Sequence, residues 1–104
     1  MNDQALDIET NRYLDRLFDH ADELARAEDV FITDSIDTQF ESADNLAAAV
    51  DRGLDCGKFD ALIAEIAYHD AAGHPGSLFQ AVKRLQLAVR DQARVLAQEE
   101  WQAL

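Results

Sequence analysis

Apolar residues recur at helical spacing along nearly the whole chain. Leu14, Leu17, Phe18, Ala21, Leu24, Ala25, Glu28 and Phe31 recur at the 3 and 4 spacing of one helix face, and apart from Glu28 they form one apolar stripe of an amphipathic helix. This spacing predicts a first helix from near Asp3 to Phe31 or Ile32. Thr33, Asp34 and Ser35 are all residue types that cap helix N-termini, which predicts a second helix starting there. Its apolar positions are Ile36, Phe40, Ala43, Leu46, Ala47 and Val50, with Gly53 in the left-handed position that ends a helix. A third helix is expected from about Asp55 to Ala72, with Phe59, Leu62, Ile63, Ile66 and Ala67 inward. Gly73-His74-Pro75-Gly76 is the strongest breaker. Ser77 with Gln80 three residues on has the form of a capping box that opens a last helix.

That last helix carries Leu78, Val82, Leu85, Val89 and Leu96 on one face. Phe79, Leu87, Val95 and Trp101 fall elsewhere, which marks them as candidates for self-association or for burial at the centre of a bundle. The chain has 104 residues, four Gly and one Pro, and neither Gly nor Pro occurs before Gly53. An all-β domain needs frequent turn chemistry, so this scarcity excludes one. The expected fold is all-α, a compact bundle of about four helices forming a single domain over residues 1–104.

Charge sharpens the picture. The chain holds 21 Asp and Glu against 9 Lys and Arg, a formal net charge of -12. Residues 1–52 contribute 14 acids and 4 bases, and residues 53–104 contribute 7 and 5. Strong net negative charge opposes direct binding to nucleic acid or to an anionic membrane, and the bases of the chain are too few to outweigh it, so neither is expected. No apolar run is long enough to span a bilayer. The N-terminus has no basic-then-apolar export pattern, so a cytoplasmic location is expected.

Between Arg26 and Arg52 there is no base but seven acids: Glu28, Asp29, Asp34, Asp37, Glu41, Asp44 and Asp51. On the second helix Asp34, Asp37, Glu41 and Asp44 fall at i, i+3, i+7 and i+10, which places four carboxylates in one line beside its apolar face. A solvated face usually interleaves both signs to relieve repulsion, and this stretch does not; a plain solvated face and a functional acidic surface are the two readings of it. Unrelieved carboxylates in a row suit a basic protein surface. In contrast Lys83, Arg84, Arg90 and Arg94 cluster near the end of the chain, placed to pair with the acidic helices within one molecule or across a homodimer.

Catalytic signals are thin. Glu65 and His69 stand at i, i+4, and His74 lies just past the breaker, yet neither Glu-x-x-His nor His-Glu-x-x-His occurs. His20, His69 and His74 are therefore expected to bind no metal. Cys56 has no base nominated beside it and is expected to be a buried or half-buried thiol. No phosphate loop, Gly-x-Ser-x-Gly or dinucleotide fingerprint is present. No enzyme and no cofactor are expected.

Asp34-Ser35-Ile36-Asp37-Thr38 resembles the Asp-Ser-Leu segment of acyl carrier proteins, which are also small, acidic helical bundles. That resemblance implies Ser35 at the start of a helix, carrying phosphopantetheine. In size and charge the chain is also similar to anti-CRISPR and anti-restriction proteins, DNA mimics and immunity proteins of DNase toxins. The leading expectation is an acidic binding protein that masks the basic, nucleic-acid-binding surface of a partner. A homodimeric helical adaptor is the alternative.

Overall fold

The computed structural model describes the backbone of residues 3–104, and the side chains of Arg16 and of residues 19–104. Helix accounts for 89% of the chain. In chain order the helices are α1 (Asp3–Gln39), α2 (Ala43–Asp55), α3 (Asp60–Ala72) and α4 (Pro75–Ala103), with no strand among the described residues. The fold is an all-α helical bundle, as the spacing predicts.

The chain divides into two compact units, residues 1–31 and residues 32–104. The first holds most of α1. Of its apolar stripe, Leu14, Leu17 and Phe18 lie outside the described side chains. Ala21, Leu24 and Ala25 are exposed, and only Phe31 is half-buried.

The second unit is organised by α4, against which both α2 and α3 pack. Ala81, Val89, Gln92, Ala93 and Ala97 are buried on α4, with Leu85, Ala88 and Leu96 half-buried between them. These positions repeat every three or four residues and form one stripe. Three of them are fully buried alanines, 81, 93 and 97, whose small side chains let neighbouring helices approach closely. Ile32 and Ile36 from the end of α1, Ala49 from α2 and Phe59 before α3 complete the buried apolar set.

Several boundaries differ from those the sequence suggests, each for a physical reason. No helix starts at Thr33, Asp34 or Ser35, because α1 runs straight through them to Gln39. Ile32, Ile36 and half-buried Gln39 and Phe40 share one face, so continuing the helix buries all four on one side. The break comes at Ser42, which is extended (φ -152°, ψ 158°) and whose Oγ accepts a hydrogen bond from the Asn45 N–H at 3.0 Å. The Asn45 side-chain amide donates to the Thr38 carbonyl at 3.0 Å, so a residue in the first turn of α2 ties down the last turn of α1.

Gly53 does not end a helix. It is buried inside α2, and the left-handed residue is Gly57, at φ +73°. Lys58 N–H donates to the Gly53 carbonyl at 3.0 Å and Gly57 N–H to the Leu54 carbonyl at 3.1 Å, the paired bonds of a Schellman ending. Gly73, also at φ +73°, ends α3 in the same way. The third helix therefore starts at Asp60 rather than Asp55. Phe59 is buried and Leu62 and Ile66 are half-buried, whereas Ile63 and Ala67 are exposed and belong to no inward face. The last helix starts at Pro75, whose missing N–H costs nothing in a first turn. Ser77 and Gln80 lie within it, exposed, and make no capping box.

Candidate functional site

The predicted row of four carboxylates is not carried by one helix. Asp34 and Asp37 lie on α1, Glu41 in the turn after it, and Asp44 in the first turn of α2. The chain leaves helical geometry at Ser42, so the i, i+10 register between Asp34 and Asp44 is lost. Asp34 and Asp37 do share a face of α1, turned away from the side that buries Ile32 and Ile36. Asp29, Asp34, Asp37, Glu41, Asp44 and Asp51 are all exposed, and Glu28 is half-buried. Among the described residues none of the seven forms an ion pair.

The two ion pairs among the described residues lie elsewhere. Arg52 on α2 clasps Glu99 on α4 through both guanidinium nitrogens. Through that hydrogen bond, Arg52 holds the Glu99 carboxyl below the usual carboxylate range and Glu99 holds Arg52 the more firmly protonated. Arg84 pairs with Glu65 of α3 at 3.0 Å. The other cations of α4 do not reach the acidic residues. Lys83 lies over the Phe79 ring at 5.4 Å and Arg90 over the Phe40 ring at 5.9 Å. Arg94 is exposed with no charged partner among the described residues.

The four candidates for self-association separate. Phe79 and Leu87 are 63% and 62% exposed. Val95 and Trp101 are half-buried. Phe40, Lys83, Gln86, Leu87 and Arg90 line a shallow groove of about 430 Å³ between α4 and the end of α1. The exposed apolar surface there thus has cations at its edges, a combination that the charge of the whole chain conceals.

Ser35, the residue matched to the carrier motif, lies inside α1 four residues before its end and not at a helix start. Its hydroxyl donates to Glu100 of α4 at 3.3 Å. His69 and His74 meet across the Gly73 turn with their Nδ1 atoms 3.4 Å apart, one ring donating and the other accepting, and Tyr68 stands edge-on to both. No group of three or more metal-ligating side chains gathers among the described residues. Cys56 is exposed, contrary to the expectation of burial, because it follows the last residue of α2 at the turn; its thiol donates to the Gly53 carbonyl at 3.5 Å. No helix among the described residues is long and apolar enough to cross a membrane.

No protein-family model, curated protein or solved structure matches the chain.

Two features escaped the sequence reading. Asn45 as an interhelical tie carries no spacing signal, since its partner Thr38 belongs to another helix. The groove also depends on Phe40 being brought beside Leu87, residues far apart in the chain.

Proposed function

We propose that the protein acts by binding, not by catalysis, and that its acidic surface masks a basic, nucleic-acid-binding surface of a partner protein in the cytoplasm. The observation that carries this reading is the exposure of Asp34 and Asp37 on one face of α1 without a counter-charge among the described residues. Adjacent carboxylates on a helix repel, by a few tenths of a kcal/mol per pair. A surface serving only solvation relieves that by interleaving cations, and the chain has cations available on α4 that it places elsewhere. Uncompensated negative charge steers a basic partner into encounter over the Debye length of about 8–10 Å. Partners of this chemistry are nucleases, restriction enzymes and RNA-guided nuclease complexes, whose binding grooves present rows of Lys and Arg to phosphates.

The test uses two immobilised baits, the wild-type chain and the variant D34K/D37K/E41K/D44K, exposed to extract from the source cell. Wild type should retain a basic nucleic-acid-binding protein that duplex DNA or moderate salt displaces, and the variant should retain none of it. If both baits retain the same proteins, or duplex DNA displaces nothing, the carboxylates are a solvated face and the masking role is wrong.

A further inference from the structure

On α4, Phe79, Lys83, Leu87, Arg90 and Arg94 follow at i, i+4, i+8, i+11 and i+15. At roughly 100° per residue they fall within an arc of roughly 80°, well away from the buried stripe of Ala81, Leu85, Val89 and Gln92. Residues 75–98 contain four bases and one acid, Asp91, in a chain whose net charge is -12. The face is therefore a local reversal of sign. Its apolar members are not covered: Phe79 and Leu87 are each more than 60% exposed. Lys83 and Arg90 lie over aromatic rings, and Arg94 has no charged partner among the described residues.

We propose that this groove docks a second copy of the same chain, through the acidic face of α1 at Asp34 and Asp37. Charge complementarity selects the occupant. The exposed face of α4 offers guanidinium groups at Arg90, which lines the groove, and at Arg94, about one helical turn further on, and α1 offers carboxylates at Asp34 and Asp37, also about one turn apart. Arg is suited to such a contact, since its planar fork pairs with a carboxylate in two-point fashion. Both surfaces belong to residues 32–104, so each copy can give one and receive the other. Reciprocal contacts of that kind close into a two-fold dimer. Leu87 and Phe40 supply the apolar floor beneath the charged pairs. The inference is independent of the masking role; the two compete for Asp34 and Asp37, so the dimer is the form with that face hidden.

The repulsion between two chains of charge -12 acts at long range and is screened by physiological salt, whereas contact pairs survive it. Association is therefore to be measured at about 0.15 M ionic strength. Sedimentation equilibrium from micromolar to millimolar chain should give twice the 11.6 kDa mass at the upper end. The variants R90E/R94E and D34K/D37K should each remain monomeric, because each sets like charges opposite one another. Mixed together they should form a heterodimer, since both contacts are then complementary again. Circular dichroism of each variant checks that the helices are intact, and the rescue by mixing excludes misfolding as the cause. A wild-type chain that stays monomeric at millimolar concentration overturns the proposal, as does R90E/R94E that dimerises like wild type. Separate monomers in the mixture overturn it too.

Discussion

The ring of Phe59 occupies the space where a side chain at Gly53 would begin. A Cβ at position 53 would stand 2.0 Å from Phe59 Cε2 and 2.1 Å from Cζ. Phe59 is 1% exposed, so its rigid ring has nowhere to move. This contact seats the turn after α2 and explains a glycine within the last turn of that helix, where it is otherwise unfavourable by up to roughly 0.5–1 kcal/mol relative to alanine. We expect G53A to destabilise the protein by about 1–3 kcal/mol through overpacking, despite the gain in helix propensity. In an F59A background the sign should reverse, with G53A stabilising by roughly 0.5–1 kcal/mol. Urea unfolding of the four proteins of this cycle is the measurement; a loss of equal size in both backgrounds would remove the ring as the cause.

The left-handed ending of α3 at Gly73 makes a different forecast. Nothing lies within 4 Å of a Cβ placed there, so the only obstacle to a side chain is its φ of +73°. G73A should cost about 1–2 kcal/mol, the usual penalty of that conformation. G73N should cost less, because asparagine tolerates it better. Equal losses for the two variants would mean that something other than backbone conformation is at work.

Ser42 and Ser35 distinguish the observed helix boundary from the one the sequence suggests. Ser42 Oγ caps α2 through the Asn45 N–H, so S42A should cost about 1 kcal/mol. Ser35 sits mid-helix with one long, exposed bond to Glu100, and S35A should stay within about 0.5 kcal/mol of wild type. Thermal unfolding of both variants reads this directly. The opposite ranking would put the cap back at Ser35.

Acid should weaken the clasp between α2 and α4. Arg52 holds the Glu99 carboxyl below its ordinary range in the folded chain. Such a group contributes stability that is present above its unfolded pKa and disappears as pH falls through its lowered folded value. At neutral pH E99Q should therefore unfold at lower urea than wild type, and the difference should shrink progressively as pH falls below the ordinary carboxylate pKa and through the lowered folded value. A difference that persists undiminished in acid would assign it to packing.

The all-α class, the four helices and the uneven charge were legible in the chain itself. They rest on local rules: apolar periodicity, scarce Gly and Pro, and sign counts over short windows. Thr33-Asp34-Ser35 shows the limit of such rules. Cap residues permit a helix to start but do not break one, and the shared buried face of Ile32 and Ile36 carried α1 onward to Gln39. At Gly53 the sequence offers two uses of glycine, a left-handed turn or a close approach, and only the arrival of the Phe59 ring decides for the second. The same holds for the surface. The sequence by itself determined that residues 28–51 are acidic and that α4 is basic along part of its length. Only the tertiary structure decided that Ser42 splits the carboxylate row, that Phe40 stands beside Leu87 and Arg90, and that Val95 and Trp101 are partly covered while Phe79 and Leu87 are not. Those outcomes depend on which faces of different helices meet, and contacts between distant residues leave no trace in the spacing of either.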